Sequence, residues 1–114
     1  MCAGPASWPA TAGIAGLQTP EQAPYSTHVY HQYTLTVDSN RRDKLQHDLK
    51  THGVPTMVYY PRALHQQPAF AHASHLHLPI ATQLCQQVIS LPMHSELTEP
   101  EQQYVADKLR LYLR

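Results

Sequence analysis

Two stretches of this 114-residue chain gather side chains that could do chemistry. From Thr56 to Phe70 the order is Thr-Met-Val-Tyr-Tyr-Pro-Arg-Ala-Leu-His-Gln-Gln-Pro-Ala-Phe. Tyr59, Tyr60, His65, Gln66 and Gln67 bring phenol, imidazole and amide groups to a proline-kinked exit. A polar ligand such as a sugar could be hydrogen-bonded and stacked there. A strand end running into a polar loop accounts for the same residues equally well. The second stretch holds His65, His72, His75 and His77. Imidazoles at such spacing can bind zinc or nickel. No cysteine or carboxylate joins them, however, and closed sites draw ligands from separated elements. A histidine-rich variable loop is the favoured reading, with no metal site assigned. His31, between Tyr30 and Tyr33, falls on the apolar face of a predicted strand and reads as a hydrogen-bonded core residue rather than a catalyst.

Other chemistries lack their parts. Ser74 and Ser90 have no Gly-x-Ser-x-Gly setting. Cys85 falls on a predicted buried stripe, where a thiol is an inert small hydrophobe. Glu96, Glu99 and Glu101 read as charge at a helix start, favourable against its dipole. The four glycines form no phosphate-binding pattern.

The elements that must position these groups follow from periodicity. Val29 to Val37 alternates, with Val29, His31, Tyr33, Leu35 and Val37 on one side, and predicts a half-buried strand. Asp38-Ser39-Asn40 offers cap side chains to a helix carrying Leu45 and Leu49 inward and Arg41, Arg42, Asp43, Lys44 and Lys50 outward. Gly53 stops that helix. Thr56 to Tyr60, between Pro55 and Pro61, predicts a second short strand, and Arg62 to Leu78 a long loop. Pro79 opens a helix whose apolar stripe is Ile80, Leu84 and Val88 with Ala81 and Cys85. Near Gln87 it gives way to a strand, Val88 to Leu91. Thr98-Glu99-Pro100-Glu101 is a capping box for a last helix with Val105, Leu109, Tyr112 and Leu113 on its buried face. The order β-α-β-loop-α-β-α predicts an α+β fold: a small three-stranded sheet with helices packed on one face.

Residues 1–27 differ in composition. Ala, Gly and Pro fill 13 of the first 24 positions, and Pro5, Pro9, Pro20 and Pro24 break any long helix. A short helical piece from Thr11 to Leu17 is weakened by Gly13 and Gly16. The segment reads as linker or frayed edge, leaving one domain over 28–114. Eight acidic and eight basic side chains cancel, which argues against nucleic acid as a partner. No apolar run is long enough for a membrane helix. No basic, then apolar, leader precedes Arg41. Cys2 and Cys85 have neither zinc nor redox spacing, which points to the reducing cytoplasm. Nine histidines exceed either charge class.

The run from His28 to Arg114 resembles the C-terminal small domain of the DegT/DnrJ/StrS family of PLP-dependent sugar aminotransferases. The resemblance rests on five blocks in the family's order. They are His28-Val29-Tyr30-His31-Gln32-Tyr33-Thr34, then Arg42-Asp43-Lys44-Leu45 through Gly53-Val54-Pro55-Thr56, and Tyr60-Pro61 with Leu64-His65-Gln66-Gln67-Pro68-Ala69-Phe70. Leu78-Pro79-Ile80-Ala81 through Val88-Ile89-Ser90-Leu91-Pro92 and Leu97-Thr98 through Tyr104-Val105 complete the series. The resemblance implies part of a fold-type I enzyme whose large N-terminal domain holds pyridoxal phosphate (PLP) on a lysine. Such enzymes are homodimers that move an amino group, usually from glutamate, onto a nucleotide-linked ketosugar in amino-sugar and surface-polysaccharide biosynthesis. It further implies substrate contacts at Tyr59, Tyr60, His65, Gln67 and His31, with Tyr59 standing where the family's His-Tyr-Pro element has its histidine. The Leu-His-x-Gln-Pro element is intact at Leu64, His65, Gln67 and Pro68. Lys44, Lys50 and Lys108 fall on predicted exposed helix faces, outside the family's lysine motif. No cofactor and no catalysis are therefore expected of the chain alone. Two alternatives stand beside this: a stand-alone ligand-binding or interaction module derived from that domain, and a histidine-rich metal binder.

Overall fold

The structure, a computed structural model, describes residues 11–94 and 96–113. Cys2 and the first ten positions of the segment read as linker lie outside them. The elements in chain order are β1 (Leu17–Gln18), β2 (Tyr33–Val37), α1 (Ser39–Thr51), α2 (Pro79–Gln87), β3 (Val88–Leu91) and α3 (Glu99–Tyr112), with 3₁₀ turns at Leu64–Gln66 and Pro68–Ala73. The sheet is antiparallel in the order β1-β2-β3. Its register pairs Leu17 with Val37, Leu35 with Ile89 and Tyr33 with Leu91. All six of these side chains therefore share one face, because strand residues two apart point the same way. On that face Leu45 and Leu49 of α1 and Val105 and Leu109 of α3 complete the core. The opposite face is polar: Thr34 and Ser90 pair there, with their hydroxyls 2.8 Å apart.

Local rules explain the helix ends. Asp38 caps α1, its carboxylate accepting from the Asn40 amide at 3.1 Å. At the other end Gly53 takes φ +75°. The Gly53 amide donates to the Lys50 carbonyl and the Val54 amide to that of Leu49. This pair of bonds is the Schellman closure, with buried Val54 and Leu49 supplying its apolar contact. The capping box on α3 forms as predicted: Thr98 Oγ1 accepts from the Glu101 amide, and Glu101 Oε2 accepts from the Thr98 amide at 2.8 Å.

Five expectations change. The first predicted strand begins at Tyr33, not Val29. Tyr30 sits at φ +48°, with its amide donating to His28 Nδ1 at 2.8 Å. This left-handed turn sends Tyr30 inward and leaves His31 exposed, so His31 is not a core residue. The predicted strand Thr56–Tyr60 reduces to one bridge, Met57 with Ser90, bracketed by two prolines with no N–H to give a ladder. The third strand comes instead from Leu17–Gln18, inside the segment read as linker. There Thr11 and Ile14 are also buried. Arg42, expected in solvent, is only 8% exposed and donates to the carbonyls of Cys85 and Val88. Finally, α2 buries none of its side chains: its apolar stripe is open, and Cys85 is half-buried.

Candidate functional site

Two hollows meet at Tyr59. The first is a cleft of about 360 Å³. His31 and Gln32 enter it from the turn before β2, Thr56, Met57 and Tyr59 from the bridge segment, and Ser90 to Met93 from the end of β3. Three separate elements thus converge because the Met57–Ser90 bridge pins the bridge segment to the edge of β3, with its two backbone bonds at 3.1 and 2.7 Å. The second is a groove of about 660 Å³ between the Tyr59–Gln67 segment and α2, lined by Tyr60, Arg62, Leu64, Leu84 and Cys85 among others. The rings of Tyr59 and Tyr60 meet edge to face at 6.4 Å, and Gln67 Nε2 donates to the Arg62 carbonyl, closing the loop between them.

The residues singled out in the sequence therefore separate. His31 and Tyr59 share the cleft, whereas Tyr59, Tyr60 and Gln67 share the groove. His65 lines neither: it turns inward, 8% exposed, with Nδ1 enclosed and without a hydrogen-bond partner. Gln32, Thr56 and Met93 join the cleft unanticipated. Thr56 Oγ1 is also enclosed without a partner. Their signal was faint, because each stands beside or just beyond a residue paired with a distant strand, Gln32 next to Tyr33, Thr56 next to Met57 and Met93 past Leu91, and local spacing does not report such pairing.

The cleft offers an imidazole, an amide, hydroxyls and a phenol, and among the described residues no Asp, Glu, Lys or Arg lines it. Such a surface suits a neutral polyhydroxylated group, which it can hydrogen-bond and stack without a fixed counter-charge. Among the described residues no three His, Cys, Asp or Glu side chains converge as a metal site would require.

A sequence profile of the DegT/DnrJ/EryC1/StrS aminotransferase family matches residues 10–110. The chain belongs to that family. Among relatives of this chain, a pleiotropic regulatory protein of Geobacillus stearothermophilus is 44% identical over 98 residues, covering 84% of this chain and 26% of the relative. A UDP-N-acetyl-3-dehydro-alpha-D-glucosamine 3-aminotransferase of Acidithiobacillus ferrooxidans is 39% identical, covering 82% and 25%. The crystal structure of S. venezuelae DesV in complex with a ketimine intermediate superposes with a TM-score of 0.86 at 32% identity, covering 95% of this chain and 29% of DesV. The chain thus spans about a quarter of the length of the relatives it matches. The three-stranded antiparallel sheet with its helices is the small-domain architecture of the fold-type I aminotransferases it resembles.

The family is PLP-dependent, and a structural neighbour, the B. subtilis protein NtdA, carries pyridoxamine phosphate. A PLP site needs an amine in a desolvated pocket and an acidic partner for the pyridine nitrogen. Lys44 is exposed and ion-paired with Asp48 at 2.7 Å, Lys50 is exposed, and Lys108 lies over the Tyr104 ring at 5.2 Å. Among the described residues no lysine or carboxylate lines the cleft or the groove. The described residues do not by themselves make a PLP site. No helix among them is long and apolar enough to cross a membrane.

Proposed function

We propose that this chain is the C-terminal small domain of a PLP-dependent aminotransferase acting on a nucleotide-linked ketosugar, and that it is catalytically silent alone. The agreement with DesV over 95% of the chain, at 32% identity, carries this reading. The relative from A. ferrooxidans and a Streptomyces venezuelae relative are both named for amino transfer on nucleotide sugars. On this reading the large domain holds PLP, the donor is glutamate, and the enzyme is a cytoplasmic homodimer serving amino-sugar and surface-polysaccharide synthesis. The chain's share of the work is binding. His31 and Tyr59, facing one uncharged cleft, hydrogen-bond and stack the sugar. Thr56 contributes a hydroxyl, and the open ring of Tyr60 helps exclude water where the domains meet. His65 and Gln67 act from beneath, setting the loop that carries the tyrosines.

The test is a chimera in which this chain replaces the C-terminal quarter of the A. ferrooxidans aminotransferase. Transamination of the relative's UDP-ketosugar with glutamate is expected of the chimera and not of the isolated chain mixed with PLP. An inactive but folded chimera, or activity of the isolated chain, overturns the proposal. The core and helix caps are all internal to the chain, which favours one second reading: a stand-alone module using the same corner for a ligand. Sugar-nucleotide binding by the isolated chain, together with an inactive chimera, supports that alternative.

A further inference from the structure

The charges of this chain are unevenly placed. Arg62 is the single charged residue between Thr51 and Ser95, although charged side chains crowd α1 and α3. The same stretch carries large apolar side chains that stand open among the described residues. Leu64 is 69% exposed, Tyr60 74% and Ile80 73%. Leu84 is open one helical turn from Ile80, on the same face of α2. These residues belong to one surface, since Tyr60, Leu64 and Leu84 line the wide groove and Ile80 extends its α2 wall. An exposed apolar belt depleted of charge is the composition of an interface core, not of a free surface. Its backbone is also built to be covered. Arg42 donates to the carbonyls of Cys85 in α2 and Val88 at the start of β3, which fastens the end of this helix to α1 while its apolar stripe stays open.

The belt's occupant follows from length. Relatives are about four times as long as the part this chain matches, and three quarters of each must pack against this fold somewhere. The helices α1 and α3 instead carry most of the chain's Asp, Glu, Lys and Arg side chains. We infer that the Tyr60–Leu64–Ile80–Leu84 belt is the face that seats on the large domain of the aminotransferase. This rests on the function proposed above and assigns its partner surface. It also accounts for the reversed stripe of α2: its apolar side chains complete a core shared with the second domain.

Cys85, half-buried in the groove, is a built-in probe. Its alkylation by iodoacetamide, followed by peptide mass spectrometry, is compared in the isolated chain and in the chimera with the A. ferrooxidans enzyme. Seating should slow labelling by about tenfold or more in the chimera, because thiolate access is lost. Leu64→Glu and Ile80→Glu, on separate elements, should each restore fast labelling, while Leu111→Glu on α3 should not. All three positions are exposed, and circular dichroism of the isolated variants checks that the fold survives. Equal labelling in chimera and isolated chain overturns the inference, as does Leu111→Glu acting like the belt variants. So does slowing that appears in the isolated chain as its concentration rises, which assigns the belt to a second copy. Transaminase activity of the same chimera separates the two proposals. An active chimera with unprotected Cys85 sinks the belt alone, and an inactive chimera with protected Cys85 sinks the enzymatic reading alone.

Discussion

The guanidinium of Arg42 donates to the carbonyl of Val88 at 3.1 Å, joining α1 to the point where α2 becomes β3. The same Nη1 donates to the Cys85 carbonyl at 2.8 Å. Since α2 runs straight into an extended residue, with Val88 at ψ 142°, no glycine turn is present to close its last carbonyls. A side chain from another helix takes that part. Arg42→Met keeps most of the packing and removes both part-buried bonds. A loss of about 1.5–3 kcal/mol in urea unfolding is expected, and Arg42→Lys, whose ammonium has donors for both carbonyls but gives up the Nε bond to Asp43, should recover part of it.

Gly53 tests the closure of α1. A Cβ there would meet nothing within 4 Å, so space is not what selects glycine. The φ of +75° is. Gly53→Ala should cost about 1–2 kcal/mol through the left-handed penalty alone, while Gly53→Asn, whose side chain tolerates that region, should cost less. Thermal melts of the two variants provide the comparison.

Glu101 makes α3 sensitive to acid. The Thr98 backbone N–H and then the Thr98 hydroxyl hold its carboxyl below the usual range. A carboxylate with a lowered folded pKa adds stability above its unfolded value of about 4.3, and loses it as pH falls through the folded value. Stability should therefore drop between neutral pH and pH 3, and Glu101→Gln should shrink that drop. Thr98→Ala removes the hydroxyl side of the box and should cost about 1 kcal/mol at pH 7. An unchanged acid profile in Glu101→Gln would show that the box does not titrate with folding.

Tyr33 sets the alkaline limit. Burial raises its phenol above the usual tyrosine value, a hydrogen bond with the buried Thr11 side chain partly offsets this, and the nearby Tyr30 adds to the rise. A raised folded pKa contributes stability that is present below about 10 and is lost as pH climbs through the folded value. In a phenolate absorbance titration one tyrosine should ionise late, and Tyr33→Phe should abolish that step. Thr11→Val should push it later still. If all tyrosines ionise together in the wild type, residues 11–18 do not dock as described.

His31 and Tyr59 carry the binding prediction. Both are exposed, so their replacement should leave melting unchanged. In the active chimera His31→Ala and Tyr59→Ala should each lower kcat/KM by about 5- to 100-fold, the value of one or two hydrogen bonds to a polar ligand. His65→Ala should instead act chiefly on stability, because that ring is buried and lines neither hollow. A His65→Ala variant that melts normally but loses kcat/KM would return the ring to the substrate site.

The sequence by itself determined whatever rests on a few neighbouring residues. Asp38 as a cap, Gly53 as a stop, the Thr98–Glu101 box and the inward face of Tyr33, Leu35 and Val37 all follow from spacing within one helical turn or one strand. The five family blocks were legible for the same reason, as short runs in a fixed order. Tertiary structure decided what depends on partners far along the chain. Leu17–Gln18 became a strand because Val37 and Thr36 offered it a register, whereas Thr56–Tyr60 kept only the Met57 bridge. The turn at Tyr30 exposed His31, and the compact loop enclosed His65, though both are histidines in family motifs. Arg42, a charge on an apparently solvated face, found its acceptors 43 and 46 residues away. The periodicity of α2 marks an apolar stripe, yet the stripe is open rather than buried. Periodicity reports that a face is apolar, but what covers that face is set by the packing of other elements.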